Sequence, residues 1–114
     1  MKILIIDDDQ LELFIALKLL RMEYQAEGFK TLSDTLQWAQ TNEFDLLISD
    51  NYISSTVRAE DVLKAIMEVK PKSYKAVVLT NFMDEPTLSR VKAAGFDGVI
   101  EKPLTLEKLK AALS

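Results

Sequence analysis

Asp7, Asp8, Asp50, Thr80 and Lys102 are the residues of this chain whose types and positions are best suited to chemistry. Each stands at or just beyond the end of a short apolar run. Asp7-Asp8-Asp9 follows Lys2–Ile6, Asp50 follows Phe44–Ser49, Thr80 closes Lys75–Thr80, and Lys102 follows Gly98–Glu101. Taken singly, each has an ordinary explanation. An acidic triplet after a strand is often a solvated loop, and Asp9 suits a helix cap. An Asp after an apolar run can be a turn residue, a β-branched Thr commonly ends a strand, and a Lys-Pro pair alone says little. Their occurrence together at four strand ends is what calls for an account. If those ends meet at one edge, several carboxylates, a hydroxyl and an ammonium converge there. Ionised carboxylates so placed repel one another unless a partner neutralises them. A hard divalent cation does so, and Mg²⁺ suits a site of few carboxylates, a carbonyl and retained waters.

The elements that would bring them together follow from hydrophobic patterning. Ile3-Leu4-Ile5-Ile6, Leu46-Leu47-Ile48 and Val77-Val78-Leu79 are continuous apolar stretches, the pattern of strands covered on both faces. Gln25–Phe29 is a weaker strand. Between these runs the sequence predicts helices at about 10–24, 33–41, 59–69, 85–94 and 105–113. Asp9 caps the first, and Val62, Leu63, Ile66 and Met67 form a stripe on the third. The fourth follows Asp84, carries Pro86 in its first turn and stops at Gly95. The last follows Thr105 and packs through Leu106, Leu109 and Leu113. Strict alternation of five strands with five helices implies an α/β fold with a doubly wound parallel sheet. In such sheets ligands bind beyond the carboxyl ends of the strands.

Composition narrows the function. The 114 residues suffice for one domain, 1–114, and 48% are hydrophobic, enough for a buried core. The net charge is −4 and no basic patch occurs, which argues against direct nucleic-acid binding. Cys and His are both absent, which removes disulfides, thiol chemistry, the usual zinc ligands and any phosphohistidine. The three glycines make no phosphate-binding loop. The opening Met-Lys-Ile-Leu-Ile-Ile is too short for a signal peptide, and no apolar run nears the ~20 residues of a membrane span. A soluble, cytoplasmic protein with no membrane association is expected.

Four segments carry a specific resemblance. KILIIDDDQ resembles the opening of response regulator receiver domains, where an apolar strand ends in an acidic pair. FDLLISD is similar to their third strand, whose last Asp accepts a phosphoryl group. AVVLTN resembles the fourth, ending in Thr or Ser, and GFDGVIEKPLT the fifth, with its Lys-Pro. The resemblance spans essentially the whole chain. It implies a flavodoxin-like strand order 2-1-3-4-5 with helices on both faces, and a cis Lys102–Pro103 bond. It further implies that Asp50 is the nucleophile and phosphorylation site of a two-component phosphorelay. Mg²⁺ would be held by Asp8 and Asp50 directly, by Asp7 through water, and by the Tyr52 carbonyl. Lys102 would neutralise the acids and then the phosphoryl group, and the Thr80 hydroxyl would turn toward it. The implied donor is a histidine kinase or histidine phosphotransfer protein. The implied output is a downstream effector protein or an attached output domain, and the chain itself turns over no substrate.

The chain departs from the family pattern in places. Ser54 stands where receivers usually carry Pro, and SSTVRAED lacks the usual Gly. Asn81 replaces a small residue, and Val99 replaces the aromatic residue whose rotamer reports the switch. Two other readings therefore stand beside the switch. One is a constitutive interaction module of the same fold. The other is an aspartate-based phosphatase, for which Asp7-Asp8-Asp9 offers an Asp-x-Asp motif but the chain offers no room for a cap domain. The first helix is also unusually apolar (Leu11, Leu13, Phe14, Ile15, Leu17, Leu19, Leu20, Met22), and a broad buried face is expected of it in preference to a docking face for a donor. Finally, the resemblance implies that Tyr52 and Asn81 flank the approach of water to the acceptor, which predicts slow self-dephosphorylation. The competing expectation is that the Asn81 amide orients that water.

Overall fold

Side chains alternate across a strand, so a run apolar at every position must be covered on both sides. The computed structural model, which describes residues 1–114, meets that requirement with five strands and five helices in strict alternation. They are β1 (Lys2–Ile6), α1 (Gln10–Leu20), β2 (Gln25–Phe29), α2 (Leu32–Thr41), β3 (Leu46–Asp50), α3 (Ala59–Val69), β4 (Lys75–Thr80), α4 (Glu85–Ala94), β5 (Gly98–Glu101) and α5 (Leu106–Leu113). All strand pairs are parallel, in the order β2-β1-β3-β4-β5.

The alternation divides the core in two. Leu4, Ile6, Leu47 and Val78 face one side, where they pack with Ala59, Val62, Leu63 and Ile66 of α3 and Val91 of α4. Ile3, Ile5, Leu46, Ile48, Val77 and Leu79 face the other, against Leu13, Ala16 and Leu20 of α1 and Leu109 of α5. Phe44 lies just before β3, its ring centroid 4.5 Å from that of Tyr74 and 6.2 Å from that of Trp38. The strand therefore begins two residues later than the apolar run. Met67 falls outside the buried stripe of α3 and is exposed.

The caps form where their chemistry places them. Asp9 accepts from the Glu12 amide at 2.9 Å, Thr31 from Asp34, Asp84 from Thr87, and Thr105 from Lys108. Gly95 ends α4 at φ 109°, a conformation that a side chain would strain. The first helix stops at Leu20 rather than near residue 24. Residues 21–23 form a turn, and the Arg21 Nε donates to the Ala26 carbonyl at 3.0 Å as the chain reverses into β2.

The expected broad buried face of α1 is not formed. Leu11 is 66% exposed, and Phe14 and Ile15 are each 57% exposed. The reason is geometric: the sheet covers one stripe of this outer helix, and no element covers the rest. Contact on the covered side is close. A Cβ at Gly28 of β2 would lie 2.7 Å from the Leu13 Cδ1 and 3.0 Å from the Leu17 Cδ1, so glycine there lets α1 settle onto the sheet.

Candidate functional site

Parallel strands all end on the same edge. Asp7 and Asp8 therefore leave β1 beside Asp50 at the end of β3, with Thr80 ending the neighbouring β4 and Lys102 following β5. Carboxylate oxygens of Asp7, Asp8 and Asp50 lie within 4.8 Å of one another. Asp7 and Asp50 are buried, at 2% and 8% exposure, while Asp8 is exposed and leaves the cluster open to solvent. The donors are all oxygens, two of the three carboxylates are buried, and one side is open for water. That set fits a hard divalent cation.

Lys102 is the cation that reaches into this cluster. Its Nζ lies 2.8 Å from the Asp50 Oδ1 and 3.1 Å from the Glu12 Oε2. Its backbone N–H donates to the Thr80 carbonyl at 2.8 Å, and the Lys102–Pro103 peptide that follows is cis. Burial pushes the Asp50 carboxyl above its ordinary range, against the opposing hydrogen bond and charge of Lys102. Burial also pushes Asp7 up to about 7, with the Asp9 amide opposing and the charges of Asp50 and Glu12 adding to the rise. For Lys102 burial pulls downward, but the bonds and charges of Asp50, Glu12 and Asp7 outweigh it, and the net shift is upward. The acids outnumber the one ammonium. The cluster as it stands favours any process that adds positive charge or takes up a proton.

The Thr80 hydroxyl is turned to its own loop. It accepts from the Phe82 amide at 3.0 Å and lies 3.3 Å from the Phe82 carbonyl. Asn51 sits between it and Asp50: its backbone N–H donates to the Asp50 Oδ1 at 3.1 Å, and its Nδ2 donates to the Thr80 Oγ1 at 3.4 Å. The Asn51 Oδ1 accepts from the Arg90 Nη2 of α4 at 2.6 Å, and Arg90 also pairs with Glu60 of α3.

Tyr52 stands at the rim rather than among the carboxylates. Its exposed ring has the guanidinium carbons of Arg58 and Arg90 at 5.6 and 5.8 Å from its centroid. Its backbone bridges to Arg58 in antiparallel fashion. Within that hairpin Ile53 donates to the Val57 carbonyl at 2.8 Å, and the Ser54 Oγ accepts from the amides of Thr56 and Val57 at 3.2 and 3.1 Å. The Ser54 hydroxyl thus closes the loop with side-chain hydrogen bonds, and no residue in it needs a positive φ. This is how the loop does without the expected Pro and Gly.

Glu12, Asn51 and Arg90 were not anticipated. A Glu three residues beyond a helix cap ordinarily signals capping, and its pairing with Lys102 joins residues 90 positions apart. Asn51 adjoins Asp50 in the sequence, but nothing in the sequence aims its side chain at Thr80 and α4. A cleft of about 360 Å³ opens beside the cluster, lined by Asp7, Glu12, Ile15, Asn81, Lys102 and Leu104 among others.

Comparison with known proteins agrees with this geometry. The family model for the response regulator receiver domain matches residues 3–114. Among solved structures, a receiver domain protein from Methanospirillum hungatei is 26% identical with a TM-score of 0.82, over 98% of this chain and 92% of that one. A chemotaxis protein from Vibrio cholerae is 26% identical with a TM-score of 0.86, over 98% and 94%. A response regulator protein from Burkholderia pseudomallei, crystallised with a phosphorylated aspartic acid, a calcium ion and citrate, is 21% identical with a TM-score of 0.85. The alignment with it covers 99% of this chain but 66% of that chain, and it supports the fold alone. No curated protein matches the sequence.

Proposed function

The chain belongs to the response regulator receiver domain family of two-component signalling, and on that premise we propose that residues 1–114 form one phosphoryl-accepting switch with Asp50 as the acceptor. The observation that carries this reading is the Lys102 Nζ held 2.8 Å from the Asp50 Oδ1 within a cluster of three carboxylates at the sheet edge. An Asp50 carboxylate oxygen attacks phosphorus in line, forming an aspartyl phosphate as the bond from phosphorus to the donor breaks. Asp8 and Asp50 would hold Mg²⁺ directly and Asp7 through water, with the Tyr52 carbonyl as a further ligand. When bound, the ion supplies charge neutralisation at the phosphoryl oxygens. Lys102 keeps its ammonium at the same place and hydrogen-bonds the transferred group. Thr80 leaves Phe82 and donates its proton in a hydrogen bond to a phosphoryl oxygen.

With no His in the chain, the phosphoryl group comes from outside, from a histidine kinase or histidine phosphotransfer protein. Leu11, Phe14 and Ile15 of α1 are exposed, Ile15 lines the cleft, and together they offer a helical donor an apolar face on this helix. The phosphorylated state acts on a downstream effector protein or an attached output domain. The same reading assigns the chain to the cytoplasm and gives it no turnover substrate; no helix is long and apolar enough to cross a membrane.

Acetyl phosphate with Mg²⁺ is expected to add one phosphoryl group to the wild type and none to Asp50→Asn, read by intact-mass spectrometry. An unmodified wild type would replace the switch with a constitutive binding module, and an equal adduct on Asp50→Asn would place the acceptor at another residue.

Loss of the phosphoryl group is expected to be slow. Hydrolysis needs a water in line with phosphorus opposite the Asp50 oxygen. By resemblance to the family, the Tyr52 ring, which lies near the guanidiniums of Arg58 and Arg90, and Asn81, which lines the cleft, would flank that approach. Tyr52→Ala and Asn81→Ala are each expected to speed the loss several-fold. Slower loss from Asn81→Ala would show instead that its amide orients the attacking water.

A further inference from the structure

Two features of this chain bear on how the state of Asp50 is passed on. Val99 is a β5 residue with a single side-chain torsion and no ring, so it cannot report the movement of Thr80 by swinging an aromatic group. On the other side of Thr80 a polar chain runs without interruption to α4. Asn51 donates to the Thr80 Oγ1 at 3.4 Å and accepts from Arg90 at 2.6 Å. Arg90 pairs in turn with Glu60 and lies 5.8 Å from the Tyr52 ring centroid.

We propose that Asn51 and Arg90 are the positioning residues through which phosphorylation of Asp50 is transmitted to α4. The inference rests on the acceptor role of Asp50 given above. Asn51 is 3% exposed, and its backbone is fixed at both ends: its N–H donates to the Leu79 carbonyl at 2.9 Å, and its carbonyl accepts from Ala59 at 3.0 Å. The side chain can therefore respond only by turning about its own torsions. When the Thr80 hydroxyl leaves for a phosphoryl oxygen, the Asn51 Nδ2 loses its acceptor. A buried amide donor without a partner is costly, so the amide turns to find another. Turning removes the Oδ1 from Arg90. Arg90 is the residue that ties α4 to the end of β3 and to α3 at once, so release of one of its bonds loosens α4 at that point. The same chain works in reverse: the Arg90 bond holds the Asn51 amide toward Thr80 and favours the resting position of the hydroxyl. Coupling of this kind is reciprocal.

The test is amide hydrogen exchange across Glu85–Ala94, with and without acetyl phosphate and Mg²⁺, with adduct formation followed on the same samples by intact mass. In the wild type the adduct is expected to speed exchange in α4 on the order of tenfold, the size of one charge-assisted hydrogen bond. Arg90→Gln and Asn51→Ala are expected to accept the phosphoryl group yet show α4 exchange already fast and no longer responsive. Arg90→Lys, which keeps the charge beside Glu60 without the guanidinium fork, serves if either variant folds poorly, and it too is expected to lose the response. A purely structural role would raise the baseline but leave the difference between the two states intact. Variants that carry the adduct and retain the wild-type response overturn the relay alone, as does a phosphorylated wild type with unchanged α4. A wild type that takes no adduct overturns the acceptor role and the relay together.

Discussion

Lys102→Ala is expected to take up a phosphoryl group from acetyl phosphate about 100- to 1000-fold more slowly than the wild type, the usual loss when one fixed group stabilising transition-state charge is removed. Lys102 is the only cation within bonding distance of Asp50, and its partners Asp50 and Glu12 are both anionic. Charge accumulates at the phosphoryl oxygens as the donor bond breaks, at the point where the Nζ already stands. No other side chain can replace it: Arg90 is committed to Asn51 and Glu60, and Lys108 is bound to the carbonyls of Glu101 and Pro103. The substitution also lowers the stability of the unphosphorylated chain. Deleting one partner of a buried pair costs about 3–5 kcal/mol when the other stays charged. Here Asp50 can take up a proton, so about 1–3 kcal/mol is expected. A time course by intact mass and a thermal melt measure the two effects. A Lys102→Ala chain that is phosphorylated at the wild-type rate removes Lys102 from the mechanism.

The strand ends could be read from the sequence because the physics there is local. A run such as Ile3–Ile6 has one stable environment, a buried parallel strand, and the residue after it must lie on the carboxyl edge. Parallel strands put Asp7, Asp8, Asp50, Thr80 and Lys102 on one edge, and the adjacency of β1, β3, β4 and β5 sets them side by side there. The order β2-β1-β3-β4-β5 did not follow from patterning, since a weak strand such as Gln25–Phe29 does not declare which edge it occupies; it came from family resemblance. The exposure of α1 could not be read either. Leu11, Phe14 and Ile15 are as apolar as Leu13, Ala16 and Leu20, and only the one-sided cover of the sheet tells them apart. Asn51 and Arg90 were hidden for a different reason. Their role depends on side chains 39 positions apart meeting, which no periodicity encodes. In the loop after β3, the family's usual residues were absent and the conformation was open. The Ser54 hydroxyl supplies hydrogen bonds there that make a glycine unnecessary.

The acids at the sheet edge set function against stability, and Asp7→Asn is expected to expose that conflict. Asp7 is 2% exposed, lies in the carboxylate cluster with Asp8 and Asp50, and has a single hydrogen bond, from the Asp9 amide at 3.0 Å. Its ionised form is disfavoured in the folded chain, as its elevation to about 7 by burial indicates. Asn keeps the oxygen that accepts from Asp9, removes the charge, and presents an N–H₂ to neighbouring carboxylate oxygens. Without metal the variant is expected to be more stable by about 1–2 kcal/mol, the range typical of relieving a functional site. That corresponds to roughly 4–8 °C in the melting temperature for each kcal/mol in a domain of this size class. Mg²⁺ is expected to reverse the order. A metal that binds only the folded state adds about 2.7 kcal/mol at a hundred times its dissociation constant, and the wild type gains this while Asp7→Asn gains little. Phosphoryl uptake should fall with metal binding, by about 10- to 100-fold, the usual loss when an outer partner of a metal site is removed. Thermal melts of both proteins across a Mg²⁺ titration give the answer. Equal stabilisation of the two by Mg²⁺ would show that Asp7 does not serve the metal site, and a less stable metal-free variant would show that its carboxylate is needed for packing rather than tolerated for function.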